Sequence, residues 1–163
     1  MKKRAEDAAE HYDIKILRNG TWLYGGTPIN RHNLVKLFAS VLHKDAEGRF
    51  WLITPAERGL IEVEDAPFTA VELAVDSPGT PAQTLRFRTN LDAWVTAGPQ
   101  HPIRVVFGER GEPAPYLMVR DGLEARISRA VYYQLAELAV EQADRPGRYG
   151  VYSGGEFFAI GQI

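Results

Sequence analysis

Frequent glycines and prolines, which break this 163-residue chain into short segments, restrict its fold more than any other sequence feature. The sequence has 15 glycines and 10 prolines, and many of them separate short apolar segments. Apolar and polar residues alternate from Ile14 to Tyr24 around the dipeptide Asn19-Gly20. Asn-Gly supplies the two positive φ angles of a type I′ turn, so this segment predicts a β-hairpin, and Asp121-Gly122 predicts another.

Two segments show instead the three- and four-residue apolar spacing of an amphipathic helix. The first runs from an N-cap at Asn30 through His43, and the second begins after the N-cap Ser128 and ends before Asp144. Their apolar stripes are Leu34, Val35, Leu37, Phe38, Val41 and Leu42 in the first, and Val131, Tyr132, Leu135, Leu138 and Ala139 in the second. A single helical turn is predicted at Thr54-Pro55-Ala56-Glu57, which has the sequence of a capping box.

These segments together define a fold class. Two helices among about ten strand-like segments, joined by connections of hairpin rather than crossover length, predict an α+β protein with mostly antiparallel sheets.

The two helical regions also resemble each other in sequence. Ile29-Asn30-Arg31 aligns with Ile127-Ser128-Arg129, and Leu37 aligns with Leu135. We therefore predict two related strand-helix-strand repeats. The predicted division is a loose lead-in at 1–12, the N-terminal repeat with intervening strands at 13–97, and the C-terminal repeat at 98–163.

Composition excludes several classes of function. Cysteine is absent, which excludes thiol nucleophiles, disulfides and thiolate metal sites. The 4 histidines lack ligand spacing, so we predict no metal and no cofactor. With 19 basic and 21 acidic residues the formal charge is −2, and neither half is basic enough to predict nucleic-acid binding. No apolar run approaches the roughly 20 residues that cross a bilayer, so we expect no membrane association and a cytoplasmic location.

Arg31 and Arg129 occupy matching positions at the predicted helix starts. A cation there opposes the partial positive charge of the helix terminus, at a cost of about 0.3–1 kcal/mol. One interpretation is that each arginine binds an anionic ligand, which a helix N-terminus also favours. The alternative is an ion pair with Glu57, Glu64 or Asp65.

Acidic residues are concentrated between Ile61 and Asp76, and Arg86 and Arg88 follow on the next predicted strand. Paired carboxylates can divide acid and base roles in a hydrolase, with His101 as a loop-borne general base. Cross-strand pairing of the carboxylates with the two arginines is the simpler interpretation.

Short motifs spread along the chain carry a family resemblance. In order they are Thr54-Pro55-Ala56-Glu57-Arg58, Glu64-Asp65-Ala66-Pro67-Phe68, Arg88-Thr89-Asn90, Gly98-Pro99-Gln100-His101-Pro102, Pro115-Tyr116-Leu117 and Ser153-Gly154-Gly155. Together they resemble the bacterial domain-of-unknown-function family 1285, from about Asp13 to Gly161. The resemblance implies an α+β protein of two related repeats, no established activity and a suggested role in signal transduction. It transfers no catalytic residue.

The functional expectation is a non-enzymatic regulatory or ligand-sensing module. A small anionic ligand or a protein partner would be held between the two repeats, and the candidate binding residues are Arg31, Arg129, Asp65, Asn90 and His101. The alternatives are a hydrolase that uses carboxylates and His101, and a structural or assembly protein, while the oligomeric state stays open.

Overall fold

The hairpin patterns become strands that pair mainly with their sequence neighbours. The structure, a computed structural model, describes residues 10–162. Within this range the chain divides into an N-terminal unit that ends at Pro67 and a C-terminal unit that begins at Phe68. The strands between 68 and 97 therefore belong to the C-terminal unit, whereas the predicted division grouped them with the N-terminal repeat.

The described part of the N-terminal unit consists of one six-stranded sheet and one helix. Its elements are β1 (Glu10–Ile16), β2 (Trp22–Tyr24), β3 (Thr27–Pro28), α1 (His32–Ser40), β4 (Leu42–Lys44), β5 (Phe50–Ile53) and β6 (Arg58–Val63). The order across the sheet is β3-β2-β1-β6-β5-β4. β1 begins inside the predicted lead-in at 1–12, of which residues 1–9 lie outside the described residues.

The core of the N-terminal unit follows from alternation along its strands. Ile14 and Ile16 of β1 are buried, whereas Lys15 between them is half-buried and Asp13 before them is exposed. Trp22 is fully buried and its ring stacks on Phe38 of α1, with the centroids 6.3 Å apart. Aromatic packing of this kind ties the helix to the sheet.

The C-terminal unit has a second six-stranded sheet, a separate three-stranded sheet and the second helix. Its elements are β7 (Phe68–Asp76), β8 (Thr84–Thr89), β9 (Trp94–Thr96), β10 (Ile103–Phe107), β11 (Pro113–Arg120), β12 (Leu123–Ile127), α2 (Arg129–Glu137), β13 (Val140–Gln142), β14 (Arg145–Ser153) and β15 (Glu156–Gln162). The strand orders are β10-β11-β12-β7-β8-β9 and β13-β14-β15.

The prediction of an α+β architecture with mostly antiparallel strand pairing is confirmed, and both six-stranded sheets are mixed. Each six-stranded sheet contains one parallel pair, β1 with β6 and β12 with β7. In both cases the paired strands are far apart in sequence, and the intervening elements bring the chain back in the same direction. Local alternation identifies strands but does not reveal such distant partners.

The two predicted hairpin dipeptides behave differently. At Asp121-Gly122 the φ angles are 47° and 81°, and the type I′ prediction is confirmed between β11 and β12. Asn19-Gly20 also lies in a hairpin, but only Gly20 has a positive φ, 93°, so the type I′ prediction is wrong there. The hairpin closes at Leu17 and Thr21, where the Leu17 amide donates to the Thr21 carbonyl over 2.8 Å, so the loop is longer than the two residues of a type I′ turn.

The predicted helical turn at Thr54–Glu57 is wrong, because this segment is the hairpin turn between β5 and β6. The Thr54 hydroxyl accepts from the Glu57 amide over 3.1 Å, which is half of a capping box. The Thr54 amide donates to the Glu57 carbonyl over 2.9 Å, so the chain turns back and pairs instead of starting a helix.

Both helices are shorter than their apolar spacing predicts. α1 has Arg31 rather than Asn30 as its N-cap and ends at Ser40, and His43 lies in β4 opposite Trp51. The apolar residues after Ser40 satisfy strand alternation as well as helical spacing, and pairing with β5 decides between them. The predicted N-cap Ser128 is confirmed for α2, which ends at Glu137, with Leu138 as its C-cap.

Two buried polar side chains join the three-stranded sheet to β8 and its preceding loop. The Ser153 hydroxyl, fully buried, donates to the Ala97 carbonyl over 2.7 Å and accepts from the Leu85 amide over 2.8 Å. The Gln83 side chain accepts from the Gly79 amide and donates to the Tyr152 carbonyl, each over 2.8 Å. Since both side chains are satisfied, their burial stabilises this arrangement of the C-terminal unit.

Candidate functional site

A groove lies at the start of α1 in the N-terminal unit. Its volume is about 650 Å³, and its walls include Tyr24 from β2, Ile29 from the loop before the helix, and Leu34 and Phe38 from the helix itself. Arg31 lines the same groove. The groove therefore places one cation beside a mainly apolar wall, the usual composition of a small-molecule site.

Arg31 occupies the N-cap position of α1 with an extended backbone, φ −85° and ψ 101°. It provides no side-chain cap, and the first turn of α1 has no acidic residue. The Arg31 side chain is exposed, and among the described residues it makes no ion pair and no side-chain hydrogen bond. The helix terminus and the guanidinium thus present positive charge to the same groove.

The alternative partners predicted for Arg31 are engaged elsewhere, so that interpretation is wrong. Asp65 pairs with Arg18 over 3.6 Å, and Glu64 pairs with Lys15 over 3.6 Å. Glu57 accepts a hydrogen bond from the Tyr12 hydroxyl over 2.9 Å.

The start of α2 differs from that of α1. Ser128 caps the helix by accepting from the Val131 amide over 3.3 Å. Arg129 is the first helical residue and is exposed, and it does not contribute to the groove beside Arg31, which is built from residues 24–38. The matching sequence positions of the two arginines therefore correspond to two different local structures.

Asn90 and His101, the other two candidates in the C-terminal unit, both support the backbone. The Asn90 side-chain oxygen accepts from the Thr69 backbone amide over 3.0 Å, and the Asn90 backbone amide donates to the Thr69 backbone carbonyl over 2.8 Å. The His101 ring donates through Nδ1 to the Met118 carbonyl over 3.0 Å, since a carbonyl only accepts. In the neutral ring Nε2 is then left without a proton.

The acidic and basic strands of the C-terminal unit form the cross-strand ion pairs that the sequence predicts. Arg88 pairs with Glu72 and Arg86 pairs with Asp76, each over 2.7 Å. The hydrogen bond from Arg86 lowers the pKa of Asp76 below its ordinary value. These carboxylates are thus held as partners of arginine on a sheet face.

Sequence reasoning missed two further concave sites. One is a cavity of about 220 Å³ in the N-terminal unit whose rim carries Tyr12 and Glu57. The other is a pocket of about 610 Å³ in the C-terminal unit, lined by Pro81, Leu138 and Tyr152 among others. In both cases the lining residues are distant in sequence, and the only local signal, the capping-box pattern at Glu57, favours a backbone role.

Two further properties hold for residues 10–162. They contain no cluster of three or more histidine, aspartate or glutamate side chains placed to hold a metal ion. Neither of the helices in this range has the length and apolar character needed to cross a membrane.

The sheets and helices define the class of protein: an α+β protein of two units, each with a six-stranded mixed sheet and a nine-residue helix. The chain belongs to the DUF1285 family. Residues 3–66 match the family's N-terminal domain, described as a domain of unknown function, and residues 67–160 match the C-terminal domain of this protein of unknown function. No curated protein matches the chain.

Two solved structures are similar to the chain. A DUF1285 family protein from Silicibacter pomeroyi DSS-3 is 44% identical, with a TM-score of 0.86 over 94% of this chain and 82% of that chain. A DUF1285 family protein from Shewanella baltica OS155 is 28% identical, with a TM-score of 0.60 over 78% of this chain and 92% of that chain. Both similarities support the family assignment that the sequence resemblance implies.

Proposed function

We propose that the protein is a non-enzymatic ligand-sensing module that binds a small organic anion in the groove at the start of α1. The observation that carries the proposal is the position of Arg31, an N-cap residue without a protein counter-ion among the described residues, on the wall of that groove. A guanidinium accepts a carboxylate or phosphate in a bidentate geometry, and the helix terminus adds to the attraction.

The walls of the groove suggest the rest of the ligand. Leu34 and Phe38 supply apolar surface, and Tyr24 is 64% exposed at the groove. Covering an exposed aromatic side chain with an apolar group removes apolar surface from water and so lowers the free energy of the complex. We therefore expect a carboxylate attached to an aryl or alkyl group to bind more tightly than inorganic phosphate.

Phe38 offers a route by which binding could be sensed. It lines the groove and stacks on the buried Trp22, so a ligand that displaces the Phe38 ring would alter the packing of the core. A regulatory role, including the signal transduction that the family resemblance suggests, forms part of this proposal and rests on that contact.

Phenylacetate, inorganic phosphate and benzyl alcohol test the proposal when each is titrated into the full chain. Phenylacetate is expected to raise the Tm, to change tryptophan fluorescence and to bind more tightly than either of the other two probes. Arg31→Gln should weaken phenylacetate binding about tenfold, the loss expected for a charge-assisted bidentate contact.

Arg129→Gln is the matched control, since it removes another exposed arginine, from the other helix start. It should leave phenylacetate binding unchanged. Equal binding of benzyl alcohol, or equal losses in the two variants, would contradict a site centred on Arg31.

A further inference from the structure

The cavity of about 220 Å³ in the N-terminal unit has a composition distinct from the Arg31 groove. Its inner walls are apolar and come from three elements: Ile14 of β1, Phe38 of α1 and Leu52 of β5, with Val41 directly after the helix. An apolar cavity of about 150 Å³ is already large enough to hold a benzene ring. The cavity beside Ile14 can therefore accommodate a short hydrocarbon chain or one ring.

The carboxylate of Glu57, an exposed residue, lines this cavity and is oriented by one hydrogen bond. Glu57 lies in the tight turn between β5 and β6, where its backbone amide donates to the Thr54 hydroxyl. Its Oε1 accepts from the Tyr12 hydroxyl over 2.9 Å. Among the described residues, no hydrogen bond reaches Oε2 and no cation pairs with Glu57. The adjacent Arg58 lies instead over the Trp51 ring, 4.7 Å from its centroid.

The Tyr12 ring packs directly over Gly59. A Cβ at position 59 would lie 2.6 Å from Cε2 of the Tyr12 ring, so the ring occupies space that a side chain would otherwise fill. Burial and the hydrogen bond to Glu57 raise the pKa of Tyr12 to about 12. The phenol therefore keeps its proton at neutral pH and acts as a donor that orients the carboxylate.

We propose that the cavity bounded by Tyr12 and Glu57 binds a primary ammonium group carried on a short apolar chain or ring. The ammonium would donate to Oε2 of Glu57, and the hydrocarbon would contact Ile14, Phe38, Val41 and Leu52. Charge complementarity selects this class, because a carboxylate that pairs with no cation in the part of the chain that the structure describes, beside an apolar cavity, attracts a cation with an apolar tail and repels an anion. The site shares Phe38 with the anion groove, but its charged group is Glu57 rather than Arg31, and it does not depend on the proposed function there.

Three probes of equal chain length separate charge from apolar burial: n-hexylammonium, n-hexanol and n-hexanoate. Each is titrated into the full, isotopically labelled chain, and amide chemical shifts report both the affinity and the location of binding. We expect n-hexylammonium to bind with a millimolar Kd, because a ligand with so few atoms makes few contacts. The largest chemical-shift changes should occur at the amides of Tyr12, Val41 and Glu57. n-Hexanol should bind about fivefold more weakly and n-hexanoate more weakly still.

Glu57→Gln keeps an oxygen acceptor for the Tyr12 hydroxyl and removes the charge. This variant should weaken n-hexylammonium binding about fivefold and leave n-hexanol binding unchanged. Glu62→Gln removes an exposed carboxylate from β6 that does not line the cavity, and it should change neither affinity.

Tyr12→Phe provides a second test if Glu57→Gln does not fold. Loss of the hydroxyl frees the carboxylate to rotate, so n-hexylammonium should bind more weakly while n-hexanol binds as before. Equal affinity of the three probes, shifts confined to other parts of the chain, or equal losses in Glu57→Gln and Glu62→Gln would overturn the proposal.

Discussion

Asp45 shows how much local structure one side chain can organise. Its Oδ2 accepts from the Trp51 indole over 2.8 Å and from the Arg49 guanidinium over 2.7 Å, and its Oδ1 accepts from the backbone amides of Glu47 and Arg49. The indole hydrogen bond is the largest of the influences that lower the pKa of Asp45 to about 2. The carboxylate thus closes the turn between β4 and β5.

The lowered pKa predicts a specific acid sensitivity. A carboxyl group whose pKa is lower in the folded than in the unfolded chain stabilises the fold above its ordinary pKa, and that stabilisation disappears as the pH falls through the folded value. For Asp45 the loss should occur between pH about 4 and about 2. Asp45→Asn should therefore lower the free energy of unfolding at neutral pH and flatten its dependence on pH in this range.

Urea unfolding followed by tryptophan fluorescence across this pH range measures the effect. Glu47→Gln is the control, because Glu47 contacts the same Arg49 over 2.9 Å but not Trp51. It should keep the acid-dependent loss that Asp45→Asn removes. A parallel pH profile for the wild type and Asp45→Asn would contradict the role given to this carboxylate.

At the scale of elements, the two helices show what apolar spacing can and cannot predict. Each helix buries two residues four positions apart, Val35 with Ala39 in α1 and Val131 with Leu135 in α2. The sequence alignment pairs Leu37 with Leu135, yet Leu37 is 62% exposed and Leu135 is fully buried. Nearly every position of α1 from Leu34 to Phe38 is apolar, so spacing alone does not decide which face packs on the sheet.

The capping difference between the helices leads to a stability prediction. Ser128→Ala removes the hydroxyl that accepts from the Val131 amide and should lower the free energy of unfolding by about 1 kcal/mol. Asn30→Ala should cost much less, because the N-cap of α1 is Arg31 and makes no side-chain hydrogen bond. Urea unfolding of both variants measures the two values, and a loss at Asn30 equal to that at Ser128 would restore Asn30 as the cap.

The candidate site was accessible to sequence reasoning only in part. Arg31 could be selected from its position at a helix start, because that position gives a charge a defined electrostatic setting. The Tyr12 and Glu57 pair could not, because parallel pairing of β1 with β6 brings these residues together across the sheet. Strand pairing between distant segments depends on tertiary packing, which local sequence does not specify.

At the scale of the whole molecule, the sheets and the family models agree on where the chain divides. The family's two domains meet between residues 66 and 67, and the two structural units meet between Pro67 and Phe68. Sequence repeats centred on the helices do not locate this point, since β7, β8 and β9 carry no helix of their own. Instead β7 pairs with β12, which follows β9 after two further strands, β10 and β11.

The division predicts that the C-terminal unit folds by itself. Its sheets pair internally, and its core includes the fully buried Phe87, Leu117 and Leu135. A fragment of residues 68–163 should give a dispersed amide spectrum and one cooperative unfolding transition. A fragment of residues 1–67 is shorter, buries a smaller fraction of its surface and should unfold at lower urea concentration.

Phe87→Ala within the C-terminal fragment is the control, because it should cost about 3–5 kcal/mol and abolish the dispersed spectrum. Such a loss would show that dispersion reports the packed core rather than residual strand structure. A collapsed spectrum for the unmodified fragment would mean instead that residues before 68 are required to form the core around Phe87, and the boundary would then separate two units that do not fold independently.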